Sequence, residues 1–326
     1  MNRRRFPALL AACALAVPLL ALAQTTPKPL RLVVPFPAGG ATDLLARSLA
    51  QRLGQGLGTT VVVENRAGAG GTLGSAEVAK AAPDGNTLLL STSSTHAIGP
   101  HLNANLPYKA LGPDMDFTPI AHVANAPNVV LVPLSLPVAN IKELVAYAKA
   151  RPGQLNYASS GNGTIVHLTS EAFKAQAGIF IMHIPYRGTA LSIPDLVSGK
   201  VHLLFDSVVS GMPHVKDGKL KALAVTSATR SALAPELPTV AESGLPGFES
   251  TTWFGVYAPK GLPADVATRL NAEINTALKS ADVQERFARL GAEVAPANTP
   301  AQFAAMVAAD SARWGRIIKD RKITIE

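Results

Sequence analysis

The sequence predicts an α/β protein of two lobes, each a mainly parallel sheet flanked by helices, with a ligand cleft between them. Three observations predict it. Strand and helix patterns alternate through most of the chain, which favours parallel sheets covered on both faces. The length, 326 residues, suits two domains of ordinary size. Finally, a strand that enters a glycine-containing polar loop and opens onto a helix occurs twice, so two facing lobes each offer a helix N-terminus to the cleft.

The opening residues, MNRRRFPALLAACALAVPLLALAQ, join a charged stretch (Arg3, Arg4, Arg5) to an apolar run from Phe6 to Leu22 and a small-residue ending. This reads as a secretory signal over 1–23, cleaved after Ala23, and Arg3-Arg4 equally fits twin-arginine export. Leu10-Ala11-Ala12-Cys13 has the form of a lipoprotein cleavage box, so a lipid anchor on Cys13 is the alternative to a released periplasmic protein. Cys13 is the only cysteine, so a chain starting at Gln24 has no disulfide or thiol chemistry. The net charge of +8 includes the three signal arginines, and the other basic residues are scattered singly. That pattern argues against nucleic acid and fits encounter with small anions.

The first lobe opens with LRLVVPFPAGGATDLLAR (30–47), a short β run broken by two prolines into a glycine turn. A helix from Leu44 to Leu57 follows, with Leu45, Leu49, Leu53 and Leu57 on one face and Gly58 as its stop. Thr59 to Glu64 reads as a buried strand, and Pro83-Asp84-Gly85 turns into another, Thr87 to Ser91. After Phe117 the pattern restarts: strand Val129 to Val132, helix Ile141 to Ala150 capped by Asn140, strand Leu155 to Ala158 and helix Val166 to Gln176. Strand Ile179 to Tyr186, a helix near Leu191 to Val197, and strands Val201 to Asp206 and Ala222 to Thr226 complete the second lobe. The C-terminal third reads as helical, notably Ala264 to Ser280 and Ala301 to Lys319. One domain is therefore expected over 24–122 plus 227–326, the other over 123–226.

Gly39 and Gly40 let the first turn approach a ligand closely, and the free N–H groups of the first helical turn favour an anion. The candidate binding residues there are Phe36, Ala38, Gly39, Gly40, Ala41, Thr42 and Asp43, with stabilisation of the helix N-terminus the competing role for Asp43. The second loop offers Ser159, Ser160, Gly161, Gly163 and Thr164, opening the helix that carries His167. Ser160 with His167 as base would suit a hydrolase, but a nucleophile elbow needs glycine where Ala158 stands. Ser93, Thr95 and His96 follow a strand end and are expected in the cleft, as are Arg187 and Asp206. The run Asn65 to Gly74 departs from a dinucleotide fingerprint because its third glycine falls one residue late, so close packing of a turn on a helix is preferred. The seven histidines show no spacing that suggests a metal, and no cofactor is expected.

Together, VPFPAGGATD (34–43), VENRAGAGGTLG (63–74), DGNTLLLSTSSTHAI (84–98), YASSGNGTIVHLTSEAF (157–173), HIPYRGT (183–189), GKLKALAVTSATRS (218–231), PTVAESGLPGFE (238–249) and WFGVYAPKGLP (253–263) closely resemble the Bug receptors, extracytoplasmic solute-binding proteins of tripartite tricarboxylate transporters. The resemblance implies a two-lobed, type II periplasmic binding protein fold and a non-catalytic monomer. It would close on a small organic acid, gripped by Ala38 to Asp43 and Ser159 to Thr164, and deliver it to a membrane permease. A sensor feeding a membrane kinase, or a secreted serine hydrolase, are the other readings. Gly99, the long segment Ala110 to Phe117 and Pro194 depart from the family pattern.

Overall fold

The computed structural model describes residues 28–231, 234–320 and 323–324; the expected signal and Cys13 lie outside them. The strands are β1 (Leu30–Val34), β2 (Val61–Asn65), β3 (Thr87–Thr92), β4 (Phe117–Pro133), β5 (Asn156–Ser159), β6 (Met182–Pro185), β7 (Leu203–Ser207), β8 (Leu220–Val225), β9 (Thr251–Pro259) and β10 (Glu293–Val294). The helices are α1 (Ala41–Leu57), α2 (Thr72–Ala79), α3 (Gly99–Leu102), α4 (Ile141–Lys149), α5 (Ile165–Ala177), α6 (Ile193–Val197), α7 (Val208–Lys216), α8 (Ala264–Lys279), α9 (Ala281–Leu290) and α10 (Pro300–Asp320).

The strand order is β2-β1-β3-β9-β4-β7-β5-β6, with β8 and β10 also paired to β4. β4 is the element that makes two lobes from one chain. From Phe117 to Pro127 it pairs with β9, and from Asn128 onward with β7 and β8. Irregular register near Pro119 and His122 bends it on the way. Each half is therefore mixed rather than mainly parallel. The outer strands β1, β2, β3 and β5, β6, β7 pair in parallel, while every pairing of β4 and β9 is antiparallel. In the first half β9 is the reversed strand, set between β3 and β4, whereas in the second half β4 itself runs against β7.

Three stretches meet at the junction between the halves and are tied together by one residue. The Thr226 N–H donates to the Asn128 carbonyl at 2.8 Å, and the Asn128 N–H donates to Thr226 Oγ1 at 2.9 Å. The Thr226 hydroxyl also lies 2.5 Å from the Ser250 carbonyl, and the Ser250 N–H donates back to the Thr226 carbonyl at 2.9 Å. Residues before Ser250 stay with the second half: Phe248 packs on Phe173 and Phe205, and Val225 bridges Thr239.

Several local expectations rest on visible chemistry. Gly58 ends α1 with φ of 67°, its N–H donating to the last-turn carbonyls, and the Asn140 side chain accepts from Glu143 N–H as an N-cap. The glycine run after β2 packs closely: a Cβ on Gly74 would lie 2.7 Å from the Arg66 carbonyl oxygen.

Replacing Thr226 by valine keeps its shape but leaves the buried Asn128 N–H without its acceptor. An unpaired buried group costs roughly 1–3 kcal/mol, so Thr226→Val is expected to lower unfolding stability by about 2 kcal/mol. Urea denaturation measures it; a change below about 0.5 kcal/mol would show the junction to be held by packing instead.

Candidate functional site

A cavity of about 60 Å³ lies between the halves and is lined from both. Its first wall is the β1–α1 turn. Gly39 takes φ of 81° and Gly40 precedes the helix in extended conformation with no side-chain cap. Gly40, Ala41 and Thr42 line the cavity, so the uncapped first-turn N–H groups face the space where an anion would sit. Asp43 does not line it. Its carboxylate accepts from Gly39 N–H (2.9 Å), Asn65 Nδ2 (3.0 Å) and Arg47, folding the turn onto its own helix. Burial pushes this carboxyl up, but the bonds from Arg47, Gly39 and Asn65 prevail and hold it below its ordinary value. Ala38 and Gly39 are exposed, and Phe36 lines the cavity.

The second loop meets the cavity mainly through Ser160, Ile165 and Val166. Most of the rest satisfies itself. Ser159 Oγ pairs with His183 Nε2 at 2.6 Å and accepts from Gly161 N–H. Gly163 N–H donates to His167 Nδ1 at 3.1 Å, and Thr164 caps α5. His167 stacks on His183 with ring centres 4.1 Å apart. Burial holds both rings below the usual histidine range, His183 at about 4. Ser159, Gly161, Gly163, Thr164 and His167 thus buttress the loop, and His167, already accepting from Gly163, is not placed as a base for Ser160.

The strand end after β3 divides its residues between the core and the cleft. His96 is fully buried away from the cavity, stacked on Tyr257 at 4.2 Å with Nδ1 on Ser91 Oγ at 2.6 Å. Burial lowers its pKa to about 3, so it is a neutral core residue. Thr95 bonds Ser91 and His96, and Ser93 is buried outside the cavity lining. Their neighbours Thr92 and Ser94 line the cavity instead. Ser94 Oγ accepts the Ile165 N–H at 3.0 Å, a bond from one half to the other. Close approach recurs at Gly188, where a Cβ would lie 2.4 Å from Pro37 Cδ. Arg187 is exposed beside it and does not line the cavity.

Asp206 does line the cavity and is, among the described residues, its one charged side chain. It ends β7, and Ser207 caps α7, so the N-termini of α1, α5 and α7 all converge here. Its Oδ1 accepts from Ser207 N–H at 2.9 Å, while Oδ2 is buried without a partner in hydrogen-bond geometry. Burial raises its pKa to about 6, against the smaller pull of the Thr189 and Ser210 hydroxyls and the Ser207 N–H. Asn128, also in the lining, has both side-chain polar atoms buried and unpartnered. Sequence reading missed Asn128, Thr189, Thr252 and Phe254; the polar Asn128 just before the apolar run Val129–Val132 was the available signal.

Two α/β halves joined by a strand that runs through both, with a cavity at the junction ringed by helix N-termini, define a solute-binding protein of the two-lobed periplasmic type. The chain belongs to the family described as tripartite tricarboxylate transporter family receptor, whose profile matches residues 45–323. It is 41% identical over 300 residues to BugT of Bordetella pertussis, covering 91% of each chain. Among solved structures, BugD superposes with a TM-score of 0.86 at 38% identity, over 91% of this chain and 99% of that one. A Rhodopseudomonas palustris protein named MatC, with bound malate, gives 0.84 at 34% identity over 90% and 99%. Another R. palustris protein, solved with adipate, gives 0.87 at 37% identity over 91% and 99%.

The raised Asp206 pKa makes a signed prediction. The folded state holds this proton more tightly than the unfolded chain, so the group's contribution is fully present below its ordinary value of 3.8 and is lost as pH rises through about 6. Ligand-free Asp206→Asn is therefore expected to be more stable than wild type at about pH 8, by up to about 3 kcal/mol, with the difference shrinking toward about pH 4. Urea unfolding at both pH values tests this; a difference independent of pH would refute it.

Proposed function

We propose that this chain is an exported receptor that captures a small organic carboxylate between its lobes and delivers it to the membrane permease of a tripartite tricarboxylate transporter. The observation that carries the reading is the uncapped start of α1, whose Gly40, Ala41 and Thr42 face a cavity with no arginine, lysine or histidine in its lining among the described residues. Main-chain dipoles and hydroxyls are then the anion-binding groups. Ligands recorded for two relatives, malate and adipate, support a carboxylate. The charged and apolar residues 1–23 support export in the Sec or the twin-arginine manner, with a lipid anchor on Cys13 as the alternative.

We place the lobe boundaries at 127/128 and 250/251. They rest on the exchange of β4 partners and on the packing of Phe248, and lie later in the chain than the divisions at 122/123 and 226/227 suggested by the sequence. The lobes close because only the closed form brings α1, Ser160 and Ser207 around one ligand.

A carboxylate at a thousand times its Kd stabilises the protein by about 4 kcal/mol, a melting shift of several degrees. A thermal-shift screen of mono- and dicarboxylates, aromatic acids and acidic amino acids is expected to find one; no shift with any member removes the proposal. Gly188→Ala sets a methyl against Pro37 across the cleft. It is expected to weaken binding at least about tenfold by opposing closure and, because Gly188 holds a φ of 159° that side chains rarely adopt, also to lower the ligand-free melting temperature. Calorimetry and melting curves check both halves of that expectation.

A further inference from the structure

The cavity carries a second chemical demand, separate from its affinity for an anion. Three buried polar atoms on its wall lack partners: Asp206 Oδ2, Asn128 Oδ1 and Asn128 Nδ2. Asp206 and Asn128 are 2% and 1% exposed, so bulk water does not solvate them. Buried polar groups are nearly always hydrogen-bonded, and a carboxylate oxygen left alone is among the most costly exceptions. Here the exceptions sit together, at the end of β7 and at the point where β4 changes partners.

The walls offer Asp206 only the Thr189 and Ser210 hydroxyls, neither of which reaches Oδ2 in hydrogen-bond geometry. Among the described residues the lining from the α1 turn, β3, the α5 loop, the Gly188–Ala190 turn and β9 contains no charged group. The main chain of Asn128 is engaged with Thr226, which fixes its position but leaves its amide unbonded. Two acceptors and one donor are thus held at one end of a cavity whose other end presents helix N–H groups.

We infer that Asp206 and Asn128 form a donor-demanding subsite, so that the ligand is a carboxylate that also bears an ammonium or hydroxyl group rather than an unsubstituted acid. This rests on the carboxylate-receptor reading above. The acid end lies at Gly40–Thr42 and Ser160, and the N–H or O–H donor meets Asp206 Oδ2 and Asn128 Oδ1. A plain diacid would bring a second carboxylate toward Asp206 and leave both acceptors unpaired.

The test is calorimetric titration of the exported chain at about pH 7.5 with acids matched in carbon skeleton. Useful trios are propionate, lactate and alanine; succinate, malate and aspartate; glutarate, 2-hydroxyglutarate and glutamate. Within whichever trio binds, the donor-bearing members are expected to bind at least about tenfold tighter than the plain acid, the scale of one charge-assisted hydrogen bond. Comparing the hydroxy and amino members tells which donor serves, and either supports the proposal. In Asp206→Asn and Asn128→Ala the advantage is expected to fall below about threefold, by lost affinity for the donor-bearing acid and, for a diacid in Asp206→Asn, also by a gain for the plain one. A plain acid that matches its substituted partners in the wild type overturns the subsite, as does an advantage that survives in both variants. Binding of plain acids alone leaves the receptor reading standing without the subsite. Silence from every acid brings down both.

Discussion

The hydrogen bonds that converge on Thr226 are the constraint on which the rest of the molecule depends. A protein built as two halves on a common strand needs its connecting segments held in register, or neither half can aim its loops at the other. Thr226 joins Asn128 and Ser250, one from each of the other two stretches at the junction, through main-chain and hydroxyl groups. Asn128 owes its place on the cavity wall to that arrangement, and Thr252 enters β9 two residues after the tie. The site is therefore an outgrowth of the junction.

The electrostatics of the cavity follow from backbone geometry. Three helices aim their positive ends at one small space without a cationic side chain in its lining. That field suits an incoming anion and also tolerates one buried carboxylate. It does not hydrogen-bond Asp206 fully, so the protein holds a costly group where stability alone would place a neutral one. Such departures collect at functional sites, where packing elsewhere sustains them.

Much of this was legible in the sequence, because it rests on local signals. The strand–glycine–helix turns, the Gly58 stop and the Asn140 cap each depend on residues within a few positions of one another. The long strand was less legible. β4 carries Pro119 and Pro127 and changes partners partway, so only its apolar end, Val129 to Val132, looks like a strand. β9 lies in a third of the chain dominated by helices, and its place between β3 and β4 is set by distant pairing. The side-chain directions were hidden for a related reason. Ser94 and His96 are two residues apart, yet one meets the cleft and the other the aromatic core, because the turn after β3 is wound as a short π-helical segment. Asp43 was recognised as important but lies behind the turn, where the distant Asn65 and Arg47 one turn along its own helix claim it.

The bond from Ile165 N–H to Ser94 Oγ is made by the protein alone, without a ligand atom. A share of the attraction between lobes is thus built in, and every 1.4 kcal/mol of it multiplies the idle closed population tenfold. Idle closed molecules are decoys for any partner that reads the closed outline. A weaker contact gives a cleaner signal but a receptor that holds scarce solute less firmly. The Ser94 hydroxyl, together with the close approach of Gly188 to Pro37, is therefore one of the terms in a compromise between retention and fidelity that the binding pocket by itself does not determine.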